Sequence, residues 1–507
     1  MTNSGDSPRF NRGALELLGV CAVLLLLVAH TAQSCFARQY ILWYGDAQAH
    51  LNISRGIFDS RTPGYDQLGT VWLPLLHVLC LPLVGNNWLW STGLAGTIPV
   101  ALCFVIAGTF FYLAAREIYP NSFASLIVIA CFALNPNVLY LASIPMTEVV
   151  FFAGLSVLVF ACFRFRRTCS GGLFMLAIVA SWWTSLTRYD GWFLIPFAAA
   201  WLAAFARRKR VAVFIAFGAL ASLAPLYWLA HNWWEAGNPF DFFNGPYSAS
   251  AIQGSAPYPG YHDWTTATKI YAQAAELCAG WGLVILAAAG FLVSLSRRTL
   301  LPLLFLALTP VFYIWSVHSS KLPIFIPQLW GSYYNTRYGV AFLPFAAFAA
   351  GALAYALPGR WNKLAWVIPL VAATTWLLRP TPENVIVWKE SQVNSISRRA
   401  WTQGVASFLT KHWKPGQGIL TSAGDVTGIY CRAQIPLANT LNIGNGPAWF
   451  ATTSRPDLVH GETWAVAQAG DFLSKALHRE RRNVYEIVKE IKVKDAPAVE
   501  IYRRHEE

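Results

Sequence analysis

Apolar residues run along this chain in long blocks rather than at short period. Eleven such blocks, each approaching or matching the roughly 20 residues a bilayer-crossing helix needs, are read at 14–33, 97–115, 123–139, 147–163, 171–187, 191–206, 211–231, 279–295, 299–317, 337–357 and 363–379. They predict a mainly α fold, a polytopic transmembrane helical bundle occupying residues 1–380. The loop between the first two blocks has another pattern. Gln48, Asn52, Arg55 and Asp59 recur at spacings of four, three and four, opposite Ala47, Leu51, Ser54 and Phe58. That alternation predicts an amphipathic helix over 47–59 lying on the membrane surface. Thr62-Pro63-Gly64 turns the chain. The run Val71–Val84 is apolar but short and proline-broken, which predicts a second interfacial segment rather than a span.

Beyond residue 380 the blocks end. The pattern there predicts helix (Ser397–Trp413), strand (Gly418–Ser422), a turn, another strand, helix (Trp464–Leu477) and a β-pair (Val484–Val493, Ala498–Tyr502). Residues 381–507 are therefore expected to form a small α/β domain. Its Gly424-Asp425-Val426-Thr427-Gly428 segment lacks the GxGxxG spacing and opens no clear helix, so it reads as a structural turn. The domain reads as accessory, with no catalytic constellation. No repeat of 20–50 residues divides the chain into matching halves.

Composition agrees with the pattern: 55% of residues are hydrophobic and 12% charged, against about a quarter charged in soluble domains. Gln33-Ser34-Cys35-Phe36 offers no small-x-small cleavage site, so 14–32 reads as an uncleaved anchor. The formal net charge of +13 is not a nucleic-acid signal, because basic residues cluster at alternate block ends: Arg9 and Arg12; Arg116; Arg164, Arg166 and Arg167; Arg207, Arg208, Lys209 and Arg210; Arg297 and Arg298; Arg360 and Lys363. By the positive-inside rule these ends are cytoplasmic. The N-terminus is then cytoplasmic, and an odd number of spans puts the C-terminal domain on the periplasmic side of an inner membrane. The nine cysteines include no CxxC and read as small apolar fillers.

The opposite, outer face collects the candidate chemistry. Asp46 follows the first span, where a carboxylate at the membrane surface can serve as a general base. Glu148 opens the fourth span; it is a candidate site acid, or with Thr147 a cap that complements the helix dipole. Arg188 and Asp190 share the tight turn between the fifth and sixth spans, either pairing with each other or meeting a phosphate or a site carboxylate. Arg337 and Tyr338 begin the tenth span. A planar guanidinium there suits bidentate phosphate binding, with snorkelling to the interface as the plainer alternative. Lys321 is a second candidate phosphate partner. The loop 232–278 is rich in Trp and Tyr, suited to sugar stacking or simply to the membrane interface. It contributes His262 as a candidate substrate contact, although His262-Asp263 is too short for a metal site.

An acid just after the first span, a surface helix, and a proline-containing second surface helix before the next span together resemble the first periplasmic loop of GT-C glycosyltransferases. Within that superfamily the chain is most similar to the branch of protein O-mannosyltransferases and lipid A aminoarabinose transferase. Pro145-Met146-Thr147-Glu148-Val149-Val150-Phe151 resembles its second acidic motif. Arg337-Tyr338, followed by apolar residues and Pro344, resembles a motif whose arginine contacts the donor phosphate. The resemblance covers roughly the first 350 residues. It implies a polyprenyl-phosphate sugar as donor, transfer with inversion to a glycan, lipid or protein acceptor, and Asp46 as base. Many relatives carry two adjacent acids where this chain has Asp46-Ala47, so the likeness does not extend to a paired-acid site. No cofactor is expected; a divalent metal would find a lone Asp46 a poor ligand set. Two rival classes stay open: an oligosaccharide ligase or polymerase with a diphosphate-linked donor, and a lipid or polysaccharide transporter.

Overall fold

The computed structural model describes residues 12–320, 322–422, 424–459, 461–479 and 484–505; Arg9 and Lys321 lie outside the described residues. The architecture is a bundle of apolar helices carrying a small sheet at its C-terminal end. Among the described residues, six helices are long and apolar enough to cross a membrane: Gly13–Ala37, Leu94–Ile118, Thr147–Thr168, Arg210–Ala236, Leu300–Ser319 and Thr336–Ala356. A seventh is formed if Trp264–Ala279 and Trp281–Leu295, bent by 111°, act as one span. Gly280, with φ +79°, makes that bend. Gly171–Ser185 and Asp190–Phe205 are shorter apolar helices. The chain is a multi-pass membrane protein.

Two expected spans are broken. Asn135-Pro136 divides the 123–139 block into helices Ser122–Ala133 and Pro136–Leu141, because Asn135 Oδ1 accepts the backbone N–H groups of Asn137 and Val138 as a cap. The 363–379 block is a 3₁₀ segment, Gly359–Trp366, followed by the short helices Val367–Ala372 and Thr374–Leu377.

The first loop forms its two expected helices, Gly45–Gly56 and Leu75–Val84. The polar face of Gly45–Gly56, expected against solvent, is covered by protein. Asn52 Nδ2 donates to the Thr427 carbonyl at 3.1 Å and Asn52 Oδ1 accepts from Trp90 Nε1 at 3.0 Å. Arg55 pairs with Asp59 at 2.6 Å, donates to Asn87 Oδ1, and lies over the Trp90 ring. Asp59 in turn accepts the Ala438 N–H at 3.0 Å. The polar stripe is thus a docking edge for the C-terminal domain.

That domain contains a mixed sheet of β1 (Ile419–Thr421), β2 (Thr440–Leu441), β3 (Trp464–Gln468), β4 (Tyr485–Ile491) and β5 (Val499–Arg504), in the order β2-β1-β3-β5-β4. β1 runs parallel to β2 and β3, while β3/β5 and β5/β4 are antiparallel. The expected helix Trp464–Leu477 is corrected here: its first part is the central strand, with Ala465, Val466 and Ala467 fully buried. Gly470, at φ +81°, ends it, and Asp471 Oδ1 caps the true helix, Phe472–Arg479, by accepting Ser474 N–H at 2.7 Å. The Gly424–Gly428 turn does open a helix, the six-residue Gly428–Ala433. All nine cysteines are free and seven are buried.

Candidate active site

The residues expected at the outer helix ends converge on Arg337. It lies on a 3₁₀ turn, Thr336–Phe342, entered through Asn335 at φ +56°. Asn335 Nδ2 anchors the entry by donating to the Pro323 carbonyl at 3.1 Å. Gly339 lets the turn sit against the helix Trp264–Ala279: a Cβ there would stand 2.1 Å from the Ala274 carbonyl oxygen. So seated, the buried Arg337 guanidinium donates to three carboxylates. Its Nη2 reaches Asp46 Oδ2 at 2.6 Å, its Nε reaches Glu148 Oε1 at 3.1 Å, and its Nη1 reaches Glu390 Oε1 at 3.2 Å. The Arg337 backbone N–H also donates to Glu390 Oε2 at 3.3 Å.

A second guanidinium closes the far side. Arg188 Nη1 donates to Glu148 Oε1 at 3.2 Å and to Thr147 Oγ1 at 2.8 Å. Arg188 also donates to the Tyr313 hydroxyl at 2.6 Å and pairs with Asp190 at 3.5 Å. Tyr313 donates onward to Asp190 Oδ2 at 3.1 Å. Thr147 therefore does not cap its helix; it is spent on Arg188. Tyr338, half-buried, presents its ring to both arginines, with Arg188 and Arg337 5.1 and 5.2 Å from its centroid.

Four carboxyl groups, Asp46, Glu148, Asp190 and Glu390, thus face two guanidinium groups, so acids outnumber cations at the site. Three of the acids are sealed: the Glu148, Asp190 and Glu390 side chains are 4%, 3% and 1% exposed, while that of Asp46 is 38% exposed. Glu148 Oε2 is buried with no hydrogen-bond partner among the described residues. Burial pushes the Glu390 carboxyl above the ordinary carboxylate range, with Arg337 pulling it back.

Of the sequence candidates, Asp46, Glu148, Arg188, Asp190, Arg337 and Tyr338 come together. His262 does not. It sits in the loop before Trp264–Ala279 at φ +56°, its ring tilted against Tyr261, its backbone N–H donating to the His318 carbonyl, and Asp263 beside it is the helix cap. Several neighbours escaped sequence reasoning. Glu390, on Ile386–Asn394, looks like any charge on a polar helix. Tyr44 lies under Arg337, 5.0 Å from its ring centroid, and donates to the Val387 carbonyl. His50 sits one turn after Asp46 and shares a 2.9 Å ring-nitrogen hydrogen bond with His77. Burial, reinforced by Arg337 and Arg188, lowers His50 to about 3, and burial also takes His77 well below the ordinary imidazole value. Only Tyr313 left a signal, a hydroxyl inside an apolar run. Among the described residues, no three His, Cys, Asp or Glu side chains are grouped to hold a metal ion.

No protein-family model and no curated protein sequence matches the chain. Solved structures do. ArnT from Cupriavidus metallidurans bound to undecaprenyl phosphate superposes with a TM-score of 0.57 at 14% identity, covering 95% of this chain and 98% of that one. The same protein in its apo state gives 0.54 at 13% identity, over 95% and 97%. The chain therefore shares the fold of these ArnT structures over nearly its whole length.

Proposed function

We propose that this protein is a GT-C-type membrane glycosyltransferase that moves a sugar from a polyprenyl-phosphate donor to an acceptor hydroxyl of a glycan, lipid or protein, at the periplasmic face of an inner membrane. The reading rests on the contrast among the four site acids: Asp46 alone reaches open space, while Glu148 and Glu390 hold the Arg337 that holds it and Asp190 pairs with Arg188 behind Glu148. Asp46 acts as base. It takes the acceptor proton, the freed oxygen attacks the anomeric carbon, and the bond from that carbon to the phosphate oxygen breaks with its electron pair leaving on polyprenyl phosphate, so the centre inverts. Arg337 is the cation nearest this event. Among the described residues its Nη2 donates to Asp46 alone, so an arriving phosphate would compete with Asp46 for that amino group rather than for the whole fork. Arg188, enclosed by Glu148, Asp190 and Tyr313, positions Glu148 and does not meet the donor directly. The solved ArnT bound to undecaprenyl phosphate supports a polyprenyl-phosphate ligand.

The test is transfer from labelled polyprenyl-phosphate hexose and pentose, with diphosphate-linked oligosaccharide as the competing donor. Asp46→Asn should lower transfer at least about 100-fold, the scale of a lost general base, without changing thermal stability by more than an exposed substitution does. Undiminished transfer by a folded Asp46→Asn protein would remove Asp46 from the mechanism.

A further inference from the structure

A second site lies on the other side of the Trp43–Asp46 segment. A cavity of about 590 Å³ opens between the end of the first span and the C-terminal domain. Arg38, Arg398, Arg399 and Arg432 line it, and among the described residues no acidic side chain does. Gln39, Gln48, Ser91, Thr92, Thr402 and Gln403 supply further polar groups. Only Arg398 has an acidic partner within salt-bridge distance among the described residues, the exposed Asp425 at 3.2 Å. Arg398 also donates to the Trp43 carbonyl, and Arg399 lies 4.3 Å above the Trp43 ring centroid. Burial and the Arg398 charge both press the Arg399 guanidinium below its ordinary value. Phe36 and Ala37, the last residues of the first span's helix, form one edge of the cavity, and Phe36 is exposed.

Four guanidinium groups converging on one cavity repel one another unless an anion sits between them, and guanidinium pairs most tightly with planar or tetrahedral oxyanions. A cavity at the end of a membrane helix, apolar along one edge and basic along the others, matches an amphiphile with a phosphate head. We infer that the chamber lined by Arg38, Arg398, Arg399 and Arg432 is a binding site for a phosphate-bearing headgroup, separate from the Arg337 cage. Gln48 connects the two. It lines the chamber and lies two residues after Asp46 on the same helix, so an occupied chamber would hold its ligand's head beside the outer end of the base helix.

The experiment is calorimetric titration of the full chain in a neutral detergent with hexyl phosphate, inorganic phosphate and hexanol. Hexyl phosphate should bind in a salt-sensitive manner. Arg38→Gln combined with Arg432→Gln, both exposed and without other described partners, should weaken that binding at least about tenfold while leaving the melting temperature unchanged. Hexyl phosphate binding tighter than inorganic phosphate assigns the site to a lipid headgroup; equal binding assigns it to a soluble phosphate. Binding by hexanol as tight as by hexyl phosphate, or undiminished phosphate binding in the double variant, overturns the site. Asp46→Asn should retain full phosphate binding even where it has lost transfer, which separates failure of this inference from failure of the proposed chemistry.

Discussion

Three carboxylates contend for the guanidinium of Arg337, and they are unequal partners. Glu148 and Glu390 are buried, so neither can lose the cation without becoming an uncompensated buried charge, whereas Asp46 can turn to water. Removing the cation and removing one surplus acid should therefore have opposite weights. Arg337→Gln is expected to destabilise the protein by about 3–5 kcal/mol. Glu390→Gln, which keeps an acceptor for the Arg337 backbone N–H and removes one acid from a site where acids outnumber guanidinium groups, should fall within about 1 kcal/mol of the parent. Thermal unfolding of both variants in one detergent decides it: equal losses would mean that Glu390 is not in surplus. The sequence displayed six of these residues because each stands at a helix end on the side opposite the basic clusters, where a polar group needs a reason. Glu390 was illegible since a helix with Lys389 and Glu390 side by side carries no mark of which one will be buried.

At the scale of elements, the Gly45–Gly56 helix is a wedge rather than a raft. Its spacing disclosed an amphipathic helix correctly but not what would cover its polar side, because solvent and a polar protein surface select the same residues. The same helix offers His50 to His77 on Leu75–Val84. A neutral buried pair has a definite consequence. With His50 lowered from 6.5 to about 3 in the fold, the unfolded chain binds more protons between those values, so stability rises with pH there. It is fully present above about 6.5 and drains away as pH falls, by up to about 1.4 kcal/mol per pH unit for each histidine. Melting temperatures of the full chain between pH 7.5 and 5 should fall with acidification, and His50→Gln with His77→Gln should flatten that slope; a slope that survives the double variant assigns it to other groups. Elsewhere in the chain, Trp464–Leu477 shows why an apolar run misleads: β3 and the helix after it differ only by the Gly470-Asp471 punctuation between them.

For the whole molecule, the change of composition near residue 380 marks where apolar blocks end, but it is not a mechanical boundary. Trp401, Val405, Leu409, Ile419, Tyr430 and Trp464 belong to the same buried cluster as Val20, Leu24 and Phe104 of the membrane helices, so the C-terminal domain shares its core with the bundle. Polar contacts repeat the message, with Arg61 pairing to Glu462 at 2.7 Å and Tyr140 sharing a 2.8 Å hydrogen bond with Ser391. With Glu390 in the cage, the accessory reading of residues 381–507 does not fit the geometry. The closest approach gives the sharpest test. A Cβ at Gly428 would stand 2.3 Å from Oε1 of the buried Gln48, so Gly428→Val displaces the Gln48 amide on the helix that carries Asp46. Displacements of about 1 Å cost on the order of 100-fold where geometry limits the rate. Gly428→Val should therefore lower transfer at least about tenfold, and should speed maleimide labelling of Cys431, whose Sγ is buried against the Trp90 carbonyl at 3.4 Å. Phe450→Ser, on the domain's exposed surface, should change neither. An accessory domain would give equal results for the two variants; a domain that sets the pose of the base helix separates them, and the labelling readout separates them whether or not the transferred sugar has been found.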